Sequence, residues 1–184
     1  MGYSDDDDDK FINFPSANDR NKNAPILKLR TLPWSDLKGK DLRNADLTNV
    51  DLDGRFLTGA NLSGANLSGS SLEKADLTGA NLTRANLSDA LLRQADFSGT
   101  SLDRANLSKS NLLLTNLTNA NLINANLTYA NLHHANLTGA NLTGANLSGA
   151  SLEQANLTGA NLTGTKLTGT KLTRATMPNG LIHD

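Results

Sequence analysis

Two of the chain's three histidines, His133 and His134, are adjacent, and Glu153 follows twenty residues on. Imidazole and carboxylate are the ligand types that bind zinc and similar ions. Adjacent histidines at outward positions diverge, however, and no third fixed ligand accompanies them, so no metal centre is expected. No nucleophile, base and acid stand in a recognisable set. The glycines recur every fifth position and form no phosphate-binding loop. Twelve Asn-Leu-Ser/Thr triplets match the glycosylation pattern, but they arise from the same regular spacing. Basic residues are dispersed and are not interleaved with aromatics, which argues against direct nucleic acid binding. These residues predict no enzyme and no cofactor.

Whatever positions them must be unusual, because the apolar supply is thin: 38% hydrophobic and only 4% aromatic residues in 184. That length fits one domain. The formal charge is −1, but five aspartates and one lysine sit together at residues 5–10. Such a run reads as a solvated tail or an expression leader. Without it the chain has 13 acidic and 16 basic residues, a balance of +3. There is no cysteine, hence no disulfide or thiolate site. No apolar run approaches the roughly 20 residues that cross a bilayer. With no signal pattern visible, the expected location is the cytoplasm, away from the membrane.

The source of regularity is a five-residue unit. Ala135 to Gly149 repeats it three times: Ala-Asn-Leu-Thr-Gly, Ala-Asn-Leu-Thr-Gly, Ala-Asn-Leu-Ser-Gly. Unit centres fall at every fifth position from 37 to 172, and 27 of these 28 are leucine; the other is Phe97. Two residues before each centre lies a small residue, Ala in 18 cases, with Lys40 and Arg55 the clear breaks. Asn or Asp usually precedes the centre. A helical period of 3.6 would smear these leucines around every face. Two inward positions followed by three polar ones fit a short extended segment and a turn, with Gly supplying positive φ. Stacked coils then pair their backbone groups above and below.

The motif Ala-(Asp/Asn)-Leu-X-X closely resembles that of the pentapeptide repeat family, in its cyanobacterial form, over about 140 of the 184 residues. The resemblance implies an all-β fold, a right-handed quadrilateral β-helix with four units per coil. Leucine would fill the axis, and 28 units would make about seven coils, roughly 34 Å long at strand spacing. The expected organisation is a disordered tail or leader at 1–23, an N-terminal cap at 24–35 containing Trp34, the β-helix at 36–175, and a short C-terminal cap at 176–184. Leu27 and Leu32 already keep phase with the repeat, as do Met177 and Ile182. Arg55 in an inward slot predicts a local distortion, with the side chain turned outward or paired with Asp53, since a charge is not buried unpaired.

Four units per coil would sort the sequence into four faces. Face one (centres 37, 57 and so on) reads as almost pure Thr, Ser, Gly, Asn and Asp. Face two (42, 62) carries Arg84, Asp103, Arg104 and Ile123, and face three (47, 67) carries Asp89, Lys109 and Tyr129. Face four (52, 72) stands apart. One column runs Arg93, Leu113, His133, Glu153; another Gln94, Leu114, His134, Gln154, Arg174; Leu91 lies beside them. An apolar cluster rimmed by polar residues suggests a contact surface. The expected function is therefore a non-enzymatic structural or interaction protein that offers Leu91, Arg93, Leu113, Leu114, His133, His134 and Glu153 to an unidentified protein partner. The expected oligomeric state is a monomer or a weak end-to-end association. The alternative implied by the resemblance is a DNA-mimicking modulator of DNA gyrase. That role calls for a strongly acidic rod, which the balance of +3 does not provide.

Overall fold

The computed structural model describes residues 37–184. The tail at 1–23 and the cap at 24–35 expected from the sequence lie outside the described residues. Within them, the repeat closes on itself every four units. Parallel bridges join residues twenty apart in an unbroken series, from Asp41 with Asn61 to Asn156 with Thr176. Each unit is held by a small, recurring set of bonds. The Leu82 amide donates to the Ser101 carbonyl at 2.7 Å, and the Asn86 amide donates back to Ala65 at 2.9 Å. The Arg84 amide reaches Asp103 on the next coil at 2.9 Å, and the Ala85 amide closes the corner onto Leu82 at 3.0 Å. The product is a four-sided β-helix whose backbone polar groups are paired along the axis.

The axis is filled by the leucines. From Leu37 to Leu157 the unit centres, Phe97 among them, are buried, and the alanines two residues earlier are buried beside them. Each leucine contributes roughly 1.5–3 kcal/mol on burial. Where a hydroxyl replaces alanine, it finds an acceptor on the spot. Ser70 Oγ donates to Leu67 O at 2.6 Å, and Thr115 Oγ1 to Leu92 O at 2.9 Å. No buried side-chain polar atom among the described residues is left without a partner.

The outer layer is organised by the Asn or Asp that precedes each centre. Its side chain folds over the next turn: Asn81 Oδ1 accepts from the Thr83 amide at 3.0 Å, and Asn126 Oδ1 from Thr128 at 3.1 Å. On face three these asparagines also link coil to coil. Asn86 Nδ2 donates to Asn66 at 3.0 Å, Asn106 to Asn86 at 2.9 Å, and Asn126 to Asn106 at 3.1 Å. Every corner residue two places after a centre has positive φ. That conformation suits glycine and asparagine and is worst for β-branched side chains, and no Val, Ile or Thr occupies a corner from 39 to 174.

Two sequence expectations are corrected. No backbone distortion marks Arg55: its amide bonds Leu52 O at 3.1 Å, and the Asp76 amide bonds its carbonyl at 2.9 Å, both in register. The Arg55 side chain is half-exposed, which takes its charge out of the core without moving the chain. Asp53 is engaged elsewhere, accepting from Ser71 Oγ at 2.6 Å and from the Glu73 amide at 2.8 Å. At the other end Ile182 leaves the repeat phase and is 68% exposed. The chain reverses at Pro178–Gly180, and Ile182 pairs antiparallel with Thr176.

Two outcomes follow for stability. Leu112→Ala opens a cavity on the axis and should cost about 2–5 kcal/mol, measured by urea unfolding. The Asp76 carboxyl is held below the usual range, chiefly by the Thr78 hydroxyl, with help from the Thr78 amide, the Thr58 hydroxyl and Lys38; partial burial opposes the shift. A carboxyl depressed on folding stabilises above its unfolded pKa, and that contribution is lost as pH falls through the lower folded value. Asp76→Asn should therefore lower the melting temperature at neutral pH, leave it little changed well below about pH 4, and so flatten the acid limb of the profile.

Candidate functional site

The coil register brings the face-four residues together. The Gln94 amide bonds Leu113 O at 3.0 Å, the Leu114 amide His133 O at 3.1 Å, and the His134 amide Glu153 O at 3.1 Å. Arg93, Leu113, His133 and Glu153 thus hold equivalent places on four successive coils. Gln94, Leu114, His134 and Gln154 form the corner beside them. Leu91 sits on the flat of the same wall, bridged to Asn111.

Side-chain contacts tie the C-terminal half of this wall together. His133 Nδ1 lies 3.7 Å from Glu153 Oε2, and Ser151 Oγ donates to the same oxygen at 3.1 Å. The two imidazoles do not diverge as the sequence suggested but meet edge to face at 4.3 Å between ring centres. Among the described residues no group of three or more His, Cys, Asp or Glu side chains could hold a metal ion. The wall thus carries two rings, a carboxylate and a guanidinium on the same face as Leu91, Leu113 and Leu114.

That centre differs in detail from the one read off the sequence. Leu91 and Leu114 are each 44% exposed, but Leu113 is half-buried. Exposed apolar groups also occur elsewhere. Phe56 on face one is 58% exposed and Tyr129 on face three 70% exposed. Face one is therefore less plain than its composition suggests. The signal for Phe56 lay in its position, where Asn or Asp is the rule. What sets face four apart is that its leucines lie within one coil of each other and join the His133, His134 and Glu153 group.

These leucines are poorly explained by folding. Leu91 occupies the slot where asparagine elsewhere bonds the following turn, as Asn111 does to the Leu113 amide at 3.3 Å. It forgoes that bond and gains little burial. Leu114 holds a corner at φ 60°, a conformation that costs an L-residue about 1–2 kcal/mol, and its side chain is not tucked into the core. Leu114 shares this strain with fourteen other non-glycine corners at φ 54–59°, and among them it is the aliphatic one left exposed. Leu91→Asn and Leu114→Asn should each stabilise the chain by about 0.5–1.5 kcal/mol in urea unfolding. Destabilisation by either would mean that the leucine serves packing.

A family model described as pentapeptide repeats matches this chain in eight copies, over residues 32–64, 57–94, 80–113, 115–144 and 135–174. No curated protein matches it. Three solved structures show the range of its relatives. HetL, a pentapeptide repeat protein involved in heterocyst differentiation regulation from the cyanobacterium Nostoc sp. strain PCC 7120, is 35% identical; the match covers 80% of this chain and 83% of that one, with a TM-score of 0.39. A pentapeptide repeat protein from the Arabidopsis thaliana thylakoid lumen is 33% identical over 62% of this chain and 70% of its own, with a TM-score of 0.44. Full-length QnrB1, a plasmid-mediated fluoroquinolone resistance protein, is 22% identical over 74% of this chain and 78% of its own, with a TM-score of 0.51. At that identity QnrB1 speaks to the fold alone.

Proposed function

Because this chain belongs to the pentapeptide repeat family, whose members are right-handed quadrilateral β-helices and generally non-enzymatic, we propose that it is an interaction rod that binds a protein partner through face four. The 28 units at four per coil make about seven coils, and the rod acts in the cytoplasm. One observation carries the reading. Leu91 and Leu114 are exposed on a single wall, against the folding preference of their positions, beside Arg93, Leu113, His133, His134 and Glu153. An apolar centre with a charged and aromatic rim is the usual anatomy of a binding patch.

Wall chemistry favours this reading over DNA mimicry. Face three is lined by neutral asparagine ladders, and on face two Arg104 lies 3.8 Å from Asp103, so that part of its charge is balanced locally. A continuous acidic column, which mimicry of a phosphate backbone requires, is not part of either wall.

Affinity capture from native lysate tests the proposal. The wild-type chain should retain a specific partner, and the triple variant Arg93→Ser, Leu113→Ser, Leu114→Ser should lose it at least about tenfold, as removal of a central patch does. Equal retention by both would refute face four as the binding surface. Inhibition or drug protection of gyrase supercoiling by the wild type would restore the alternative.

A further inference from the structure

The charges of face four are ordered from end to end. Asp51, Asp53, Glu73 and Lys74 stand on its first two coils, a net −2, and Glu153, Lys171 and Arg174 on its last two, a net +1. Midway lies the coil of Asn111, Leu113 and Leu114. It is three ladder steps from Asp51, through Ser71 and Leu91, and three from Lys171, through Asn131 and Ser151. The other faces lack this combination. Face three runs from Asp46 to Lys166 but has Ser68, Ser88 and Ser108 along its middle. Faces one and two carry no base at their far ends.

A wall with acids at one end, bases at the other and leucines at the midpoint complements itself when turned end for end. We propose that face four docks a second copy of this chain, antiparallel, about a two-fold axis through the Asn111 coil. This rests on the reading of face four as a contact surface and names its occupant. The axis sets Leu113 and Leu114 against their own counterparts. It brings Asp51 opposite Lys171 of the second copy and Asp53 opposite the coil of Arg174, and symmetry makes each pairing twice. Arg93 comes opposite His133. Glu73 and Glu153 are the one like-charged meeting; Lys74 adjoins the first, and His133 lies 3.7 Å from the second. Parallel pairing of the same walls would put acid on acid and base on base, a disfavoured arrangement.

The whole chain provides the test, by sedimentation velocity over a range of concentration and salt. The mass should rise from 19.5 kDa towards twice that value, and salt should weaken the association. Lys171→Glu with Arg174→Glu should weaken it about tenfold, since several exposed pairs are reversed at once. The chain has no cysteine, so single introduced thiols report the register. Leu113→Cys should cross-link two copies. Glu73→Cys and Glu153→Cys should cross-link when mixed and not separately. Circular dichroism melts confirm that each variant is folded. A chain that stays at 19.5 kDa, or a dimer that cross-links through Thr138→Cys on face one and not through Leu113→Cys, overturns the inference. If the chain is monomeric yet the Arg93, Leu113, Leu114 variant still loses captured protein, face four remains a contact surface for a different partner.

Discussion

Every coil depends on backbone bonds between residues nineteen and twenty-one positions apart. Leucine amides donate forward to the coil ahead, and the residue before each leucine donates back to the coil behind. A one-residue slip anywhere would turn leucines outward on every later coil and break both sets together. This is why the period runs without insertion or deletion through 28 units. It also explains how a chain so poor in aromatics folds. Burial is narrow but continuous, and from Leu42 to Leu157 the amide of each unit centre is bonded to the next coil.

The same constraint frees the outer walls. Once leucine, alanine and the bonded turn are in place, three positions of each unit are bound only by local rules. The position before the centre prefers a side chain that can accept from the turn. The corner must adopt positive φ. A residue ill suited to its position, such as Leu91 before a centre or Leu114 at a corner, lowers stability without endangering the fold. A solenoid can therefore carry a contact surface on one wall at a cost the axis absorbs.

Much of this was legible from the residue pattern. The five-residue period, the inward leucine and alanine, the glycine corners and the grouping of Arg93, Leu113, His133 and Glu153 follow from spacing and from the family resemblance. What was not legible depended on side-chain direction. Arg55 suggested distortion because turning its charge out of an inward slot was expected to move the backbone; the side chain reaches partial exposure with the ladder intact. Ile182 kept phase in number but not in space, because Pro178–Gly180 reverses the chain. The half-burial of Leu113 and the exposure of Phe56 depend on how neighbouring coils shade each position, which a single repeat cannot show.

Amide hydrogen exchange reads the central constraint most directly. Leu142, Leu147 and Leu152 donate to the next coil at 2.8, 2.9 and 2.8 Å, whereas Leu162, Leu167 and Leu172, one coil further on, have no backbone acceptor among the described residues. If the forward leucine bonds hold the rod, the first three amides should be strongly protected and the last three should exchange far faster, despite identical residue types and flanking sequence of the same kind. Equal protection in the two sets, or free exchange at Leu102 and Leu107 in the middle of the rod, would contradict it.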